Sequence, residues 1–140
     1  MKTLRPAAPS DINMPVAKLI GFEITEVSAG RAVTRLDSGP QHANPMGTLQ
    51  GGILCDICDA AMGISVASTL EREQSFTTME LKINFFRPVW NSKLTAEATV
   101  IRRGKTTAYV ECAVTDEDRK LVAKASSTCL ILDGKHAEGR

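Results

Sequence analysis

Several features that define other protein classes are missing from this sequence of 140 residues. It contains no run of 18 or more apolar residues, so we expect no transmembrane helix. Lys and Arg total 17 against 16 Asp and Glu, so the formal net charge is only +1. Nucleic-acid-binding proteins normally carry a clear basic excess. We therefore expect binding to neither a membrane nor a nucleic acid.

The cysteines and histidines are too few and too scattered for a complete metal site. Among the 4 cysteines, only Cys55 and Cys58 stand at metal-ligand spacing, and no His pair accompanies them. This pair could be redox-active or half of a zinc site. An apolar helix next to acidic residues disfavours a thiolate, so we favour buried, unreactive thiols. Lys2 and Arg5 precede no apolar stretch, and we expect a cytoplasmic protein with reduced cysteines.

The length and composition predict one globular domain. Hydrophobic residues make up 43% of the chain and charged residues 24%, as in ordinary soluble domains. We predict a flexible N-terminal arm over 1–15, the domain itself over 16–133, and a polar, frayed tail over 134–140. Composition alone gives no function.

One long helix is predicted from Gly51 to about Leu70. Its residues are apolar on almost every side, which is typical of a buried helix. The exceptions are Gly52, Asp56, Asp59 and Gly63, which fall on one narrow stripe at 100° per residue. Two carboxylates therefore share one face of an otherwise apolar helix.

The remaining pattern is that of strands. Two short strands precede the helix and are joined at Ser28-Ala29-Gly30, which suits a hairpin. After the helix, apolar and polar residues alternate along four longer segments, which favours an antiparallel sheet with one covered face. The predicted strands are 22–27, 31–37, 78–85, 93–100, 107–115 and 121–132. The fold class is therefore α+β, with an antiparallel sheet wrapped around one central helix.

The segment that leads into the helix holds the clearest chemical signal. Gly51 and Gly52 let a ligand approach the backbone closely, and the free N–H groups of a helix start favour negative charge. Such donors suit the carbonyl oxygen of an acyl-transfer reaction. Asp59 lies about 10 Å further along the helix axis. A neighbouring chain could bring that carboxylate opposite these donors.

The combined motifs resemble one known family. The run Asn44-Pro-Met-Gly-Thr-Leu-Gln-Gly-Gly52, followed by Asp59, by Thr77-Thr-Met-Glu-Leu81 and by Arg87-Pro88, is similar to the hot-dog thioesterases of the phenylacetate-degradation (PaaI-like) type. The similarity extends over roughly 22–132. It implies a hot-dog fold, a homodimer that often pairs into a homotetramer, and hydrolysis of an acyl-coenzyme A (acyl-CoA) thioester. It implies neither a metal nor a redox cofactor, since coenzyme A belongs to the substrate.

The resemblance also assigns roles to individual residues. Asp59 matches the catalytic carboxylate, which acts as general base or as nucleophile. Gly51 matches the residue whose N–H polarises the thioester carbonyl, and Asn44 matches a polar residue that positions water or the thioester. Thr78 matches the hydroxyl that assists the water. In this family, the loop groups and the carboxylate come from different subunits.

One position departs from the family pattern. The family usually has His directly before the double glycine, where this chain has Gln50. Gln keeps hydrogen-bonding capacity but cannot titrate near neutral pH. The nearby His42 is an alternative that could partly compensate. Asp56 could pair with Asp59 as an acid/base couple, although we favour a structural or tuning role for Asp56.

Basic residues near the motifs suit the phosphates of coenzyme A. Arg binds phosphate through its planar fork of donors. The residues that we expect to contact coenzyme A are Arg87, Arg103, Gly104, Lys105 and Gly52.

Two other functions are compatible with the sequence. Hydration of an enoyl thioester normally needs an Asp/His pair, and no His lies suitably near Asp59. A non-catalytic acyl-CoA-binding dimer is an alternative, because Gln50 stands where the family usually has a histidine. The acyl group is expected to be aryl or medium-chain, because Ala60, Ala61 and Gly63 leave room along the helix.

Overall fold

The computed structural model describes residues 5–140. We number its α-helices α1 and α2 and its strands β1 to β6, and three short 3-10 turns complete the secondary structure. The elements in chain order are a 3-10 turn Pro9–Asp11, α1 Pro15–Ile20, β1 Phe22–Ser28, β2 Arg31–Asp37, a 3-10 turn Pro40–His42, α2 Gly51–Ala67, β3 Gln74–Phe85, β4 Lys93–Arg103, β5 Thr107–Thr115, β6 Leu121–Asp133 and a 3-10 turn Gly134–Ala137.

The six strands form one antiparallel sheet in the order β1-β2-β4-β5-β6-β3. The predicted hairpin is present, because Ser28 pairs with Arg31 and Gly30 adopts the positive φ of 72° that this tight turn needs. The predicted α+β architecture of an antiparallel sheet around one long helix is confirmed.

Helix α2 packs against the concave face of this sheet. Ile57, Ala61 and Val66 on α2 are fully buried and belong to the hydrophobic core. The facing strands present mainly small side chains, which allow the helix to lie close to the sheet. The fully or almost fully buried alanines of β2, β4, β5 and β6 are Ala32, Ala96, Ala98, Ala108, Ala123 and Ala125.

The sheet curves around α2 through irregularities in strand pairing. Register shifts occur at Ile24/Glu26 in β1, Thr78/Glu80 in β3 and Val100/Arg102 in β4, and a fourth opposite Val114/Thr115, where Val122 is the extra residue of β6. Such bulges bend a strand and increase its twist. The bulge in β3 directly follows Thr78, a predicted site residue.

Strand β3 differs from its prediction. The sequence predicts that Met79, Leu81, Ile83 and Phe85 share one covered face. In the structure Leu81 and Ile83 contact the core, whereas Met79 is 62% exposed and Phe85 is 52% exposed. The physical reason is that β3 is an edge strand, paired only with β6, and that its bulge at Met79 breaks the alternation.

The two ends of the chain carry local structure that the sequence did not predict. The first four residues of the predicted arm lie outside the described residues. In the rest of the arm, the Asp11 carboxylate accepts hydrogen bonds from the N–H groups of Ala7 and Ala8, both at 2.9 Å. At the other end, Ala137 is buried in a 3-10 turn. The domain boundaries themselves stay a prediction.

Helix α2 ends at Ala67, three residues before the predicted end. The hydroxyl of Ser68 donates to the carbonyl of Ser65 at 2.7 Å and accepts a hydrogen bond from the N–H of Gly30 at 2.8 Å, which ties the helix end to the β1–β2 hairpin. None of the helices formed by residues 5–140 is long and apolar enough to span a bilayer.

Removal of a fully buried side chain from α2 tests this packing. Ile57→Ala should lower the free energy of unfolding by about 2–5 kcal/mol, because it leaves a cavity against the sheet. The control is Leu19→Ala on α1, where the side chain is 86% exposed and the change should stay within about 0.5 kcal/mol. Urea denaturation at one fixed protein concentration measures both values. Equal effects of the two substitutions would contradict the packing.

Candidate active site

Four of the predicted site residues line two separate cavities of the chain. Asp59 and Thr78 line a cavity of about 800 Å³ between α2, β3 and the N-terminal segment. Gly51 and Arg87 line a second cavity of about 450 Å³ at the start of α2. Within one protomer, the carboxylate and the helix-start amides therefore do not share a cavity.

The carboxylate of Asp59 stands in the larger cavity without a polar partner. Within residues 5–140, Asp59 makes no hydrogen bond and no ion pair, and its side chain is accessible to solvent. Its partial burial raises its pKa above the ordinary value, and the negative charge of Asp56 raises the pKa further. An unpaired carboxylate with a raised pKa in a cavity is characteristic of a general base.

Thr78 belongs to the same cavity and lies at the bulge of β3. Its hydroxyl is 3.8 Å from the thiol of Cys129 on the paired strand β6. The Ser127 hydroxyl is 3.9 Å from the same thiol and donates to the carbonyl of Glu80 at 2.8 Å. The structure thus places Asp59 and Thr78 in one cavity and surrounds Thr78 with a small polar cluster, whereas their catalytic roles stay a prediction.

The start of α2 presents free backbone donors. The N–H groups of Gly51 and Gly52 donate to no carbonyl anywhere in the described part of the chain. A Cβ atom on Gly51 would lie 3.0 Å from Cζ of Phe85, so a side chain there would crowd this exposed ring. A Cβ on Gly52 would meet nothing closer than 4.0 Å. These amides can stabilise a developing oxyanion.

Asn44 organises the loop that leads to α2. Its side-chain oxygen accepts hydrogen bonds from the N–H of Met46 at 3.0 Å and of Thr48 at 3.2 Å, and its amide nitrogen donates to the Thr48 hydroxyl at 2.8 Å. This arrangement fixes a turn that positions Gly51. A direct contact of Asn44 with water or substrate stays a prediction.

Gln50 caps α2 through its backbone only. Its N–H donates to the carbonyl of His42 at 2.9 Å, and its carbonyl accepts from Ile53 at 3.0 Å. The Gln50 side chain is exposed and forms no hydrogen bond with any residue from 5 to 140. It is therefore free to contact a ligand or a second subunit.

His42 does not compensate for the missing family histidine, and that alternative was wrong. Its ring is buried, with Nε2 donating to the carbonyl of Ile20 at 2.6 Å and Nδ1 accepting from the N–H of Gly39 at 3.0 Å. Both ring nitrogens are thus occupied by backbone groups. His42 instead fastens the loop before α2 to the end of α1.

The basic residues expected to bind coenzyme A occupy opposite ends of β3. Arg87 is exposed beside the second cavity, just beyond the C-terminal end of β3. Arg103 lies at the other end, where its guanidinium donates to Gln74 at 2.8 Å, to the Thr69 hydroxyl at 3.2 Å and to the carbonyl of Gly104. These contacts give Arg103 a structural role that the sequence did not predict. Phosphate binding by either arginine stays a prediction.

Gly104 and the exposed Lys105 turn the chain between β4 and β5. A Cβ on Gly104 would lie 3.1 Å from the carbonyl oxygen of Thr107, which explains the glycine. Lys105 forms no ion pair within the described chain, so no carboxylate there competes with a phosphate group for its charge.

The cysteines are poorly suited to thiolate chemistry. Burial raises the pKa of Cys55 and of Cys129, and contact with the Cys112 thiol together with burial raises the pKa of Cys58. All four thiols are free. Residues 5–140 contain no group of three or more His, Cys, Asp or Glu side chains that could hold a metal ion.

The sequence missed one part of the larger cavity. Ile12 and Met14 of the N-terminal segment line it, together with Phe76 of β3. The segment was predicted to be a flexible arm because Pro, Ala and polar residues dominate it. The alternation of the apolar residues Ile12, Met14 and Val16 was the available signal.

Comparison with known proteins identifies the class. Residues 46–123, more than half of the chain, match the model of the thioesterase superfamily. The 1,4-dihydroxy-2-naphthoyl-CoA hydrolase of Listeria monocytogenes is 30% identical over 84% of this chain and 96% of its own. A conserved protein of Pseudomonas aeruginosa is 30% identical over 91% of this chain and all of its own, with a TM-score of 0.83. The PaaI protein of the Escherichia coli phenylacetic acid degradation operon is 26% identical over 87% of each chain, with a TM-score of 0.80.

The fold is therefore the hot-dog fold. The chain belongs to the thioesterase superfamily, and it is a thioester hydrolase.

The raised pKa of Asp59 predicts how this residue titrates. Its carboxyl should ionise above the ordinary value of about 3.9, and Asp56→Asn should lower the midpoint by removing a neighbouring negative charge. Carbon-13 NMR of the Asp59 carboxyl measures both midpoints.

Because the pKa of Asp59 is raised, the folded protein holds this proton more tightly than the unfolded chain does. Stability should therefore fall as the pH rises through the window between the two pKa values. A wild-type midpoint at or below about 3.9 would contradict the desolvated site.

Proposed function

We propose that the protein hydrolyses the thioester of an aryl- or medium-chain acyl-CoA to the free acid and coenzyme A. The observation that carries this proposal is the Asp59 carboxylate, unpaired within the described residues, in a mainly apolar cavity of about 800 Å³ that Arg5, Asp11 and Asp56 also line. The Listeria monocytogenes relative is named for the hydrolysis of an aryl thioester of coenzyme A, which supports the aryl alternative.

We infer that the active site forms between two copies of the chain. The free edge of β3 is 12 residues long, about 40 Å, and carries the exposed apolar side chains Met79 and Phe85. The opposite edge, β1, has 7 residues, a bulge and the exposed Glu23. Both edges have a bulge and exposed charged side chains, so the length of β3 and its exposed apolar side chains are what distinguish it, because a short edge strand offers few backbone groups for pairing. Antiparallel pairing of two β3 strands is therefore the expected dimer contact.

This pairing would remove the separation between the two cavities. Gly51 packs against Phe85 near one end of β3, and Asp59 shares its cavity with Thr78 and Phe76 nearer the other end. Because the strands of the two copies would run in opposite directions, the Phe85 end of one would approach the Phe76 end of the other. The carboxylate of one subunit would then face the free amides of its partner.

The mechanism follows from this arrangement. The Gly51 N–H draws charge onto the thioester carbonyl oxygen, while Asp59 takes a proton from water as it attacks the carbonyl carbon, or attacks that carbon itself. Thr78 orients the water, and Asn44 holds the loop. The tetrahedral adduct collapses with release of coenzyme A as a thiolate. When water is the nucleophile, this collapse gives the free acid directly. When Asp59 is the nucleophile, it leaves an anhydride between the acyl group and Asp59, which water then hydrolyses to the free acid. Thiolate is a good leaving group, so Gln50 in place of a histidine is compatible with the reaction.

The same pairing suggests how coenzyme A binds. Arg87 at the end of one β3 would lie toward residues 103–105 of the other subunit. Together with the Gly52 amide, these residues provide positive groups for the phosphates of coenzyme A. We expect no metal or redox cofactor, a cytoplasmic location, and pairing of dimers into a homotetramer, as the resemblance implies.

A non-catalytic acyl-CoA-binding dimer is the second candidate. The observation that favours it is Gln50, because its exposed side chain cannot take up or release a proton near neutral pH. Such a protein would bind acyl-CoA thioesters without releasing thiol.

Substitution of the carboxylate tests the role of Asp59. Asp59→Asn keeps the size of the side chain but removes the base, so kcat should fall by about 10²–10⁴. Asp56→Asn, one turn earlier on α2, is the matched control and should retain most of the activity. Thiol release from a panel of aryl and alkyl CoA thioesters gives both values. Undiminished turnover in Asp59→Asn would rule out this mechanism.

Substitution of Gly51 tests the backbone donor. Gly51→Pro removes the N–H, and the extended backbone of Gln50 (φ −62°, ψ 128°) accommodates a following proline at the first position of a helix. Gly51→Ala crowds Phe85 in the same way but keeps the N–H, so it is the matched control. We expect the proline variant to lose about 10²–10³ in kcat relative to the alanine variant. Equal activities would exclude the amide as donor.

A mixture of two inactive variants tests whether the site is shared. A mixed dimer of Asp59→Asn and Gly51→Pro subunits has one site with both substitutions and one site with neither. Because half of a random mixture forms mixed dimers, unfolding and refolding together should restore about a quarter of the wild-type activity. A mixture as inactive as its components would indicate that each subunit contains a complete site.

A further inference from the structure

The N-terminal segment forms a folded wall of the larger cavity. We define this segment as residues 5–14, which precede α1. The two hydrogen bonds to the Asp11 carboxylate hold its 3-10 turn, and Ile12 and Met14 that follow are half-buried. Met14 also contacts the hydrophobic core. The segment therefore has a defined position beside the cavity.

The opposite wall of the cavity is α2 beyond Asp59. Ala60, Gly63 and Ala67 line it, and the rise of 1.5 Å per residue gives about 12 Å from Asp59 to Ala67. A Cβ on Gly63 would lie 3.3 Å from Cζ of Phe76, so this glycine keeps the helix close to β3. A mainly apolar chamber thus extends along α2 away from the carboxylate, with room for an acyl chain.

A second, smaller cavity lies directly beyond this chamber. It has a volume of about 290 Å³ and is lined by the apolar residues Pro9, Ala17 and Ile24, with the exposed Lys18 and Glu23 at its rim. Ile12 and Met14 line both the chamber and this smaller cavity. These two side chains are therefore the partition between the two spaces.

We propose that the partition formed by Ile12 and Met14 sets the longest acyl group that the enzyme accepts. This inference rests on the proposed function. Shortening the partition joins the two cavities, so that an acyl chain can continue past Ile12 toward Ala17 and Ile24. Enlarging it shortens the chamber. Ile12 and Met14 are thus specificity-determining residues supplied by a segment outside the sheet and the central helix.

Ile12→Ala is the central variant, because Ile12 is not part of the hydrophobic core. We measure kcat/KM for saturated acyl-CoA substrates from 4 to about 16 carbons. Burial of each additional methylene favours binding about fourfold. The ratio of kcat/KM for dodecanoyl-CoA to that for octanoyl-CoA should therefore rise by roughly tenfold or more. Ile12→Phe should lower the same ratio.

Two matched controls separate the partition from a general loosening of the segment. Val16→Ala shortens a side chain that lines the chamber but not the smaller cavity. Leu19→Ala shortens a side chain that lines neither. Neither should change the ratio by more than about twofold. An unchanged ratio in both Ile12→Ala and Ile12→Phe, or an equal rise in Val16→Ala, would overturn the proposal. Thermal unfolding shows that each variant is folded.

The design distinguishes this inference from the proposed function. If wild type hydrolyses no acyl-CoA, the proposed function fails, and the partition is tested by equilibrium binding of octanoyl-CoA and dodecanoyl-CoA instead. If wild type hydrolyses them but the Ile12 variants keep its chain-length profile, only the inference fails. In the first case, calorimetric titration gives the Kd values for the two acyl-CoA molecules, and the ratio of these Kd values replaces the ratio of kcat/KM.

Discussion

The packing of α2 against the concave face of the sheet determines which side of the helix is left for the candidate site. A helix with so few polar residues is stable only when it is covered on most of its surface, and the curved sheet covers it from β2 to β6. Apart from its first turn, α2 is open, within the described residues, on the side that faces β3 and the N-terminal segment, and this side carries Asp56 and Asp59. The packing therefore confines the charge of the helix to a single chamber, where partial burial alters the pKa of Asp59.

The second constraint is that β3 has one unpaired edge. An edge strand of 12 residues with exposed apolar side chains is a poor surface for an isolated protomer. It also lies between the two halves of the candidate site. Assembly through this edge would satisfy the backbone groups of β3 and complete the catalytic arrangement in one step. Fold and activity would then depend on the same contact.

Most of the fold could be predicted because its signals are local. The hairpin at Gly30, the apolar helix and the alternating strands after it each follow from neighbouring residues. The polar stripe of α2 also identified Asp59. The exposure of Met79 could not be predicted, since it depends on which strand lies at the edge of the sheet and on a bulge. The contacts of His42 and Arg103 join segments that are distant in the chain, and the placement of Ile12 depends on the folded N-terminal turn.

Substitutions on the alanine-lined face of the sheet can change the geometry of the candidate site without any contact with the substrate. Because Ala96, Ala98 and Ala125 are fully or almost fully buried, an added methyl group at any of them has no free volume to enter. The larger side chain would force neighbouring side chains, or the backbone of α2 that packs on this face, to shift. A shift of that backbone would move Asp59 relative to Thr78, although the substituted residue contacts neither. Changes in the rate or selectivity of such an enzyme can therefore arise from residues buried on the far side of α2.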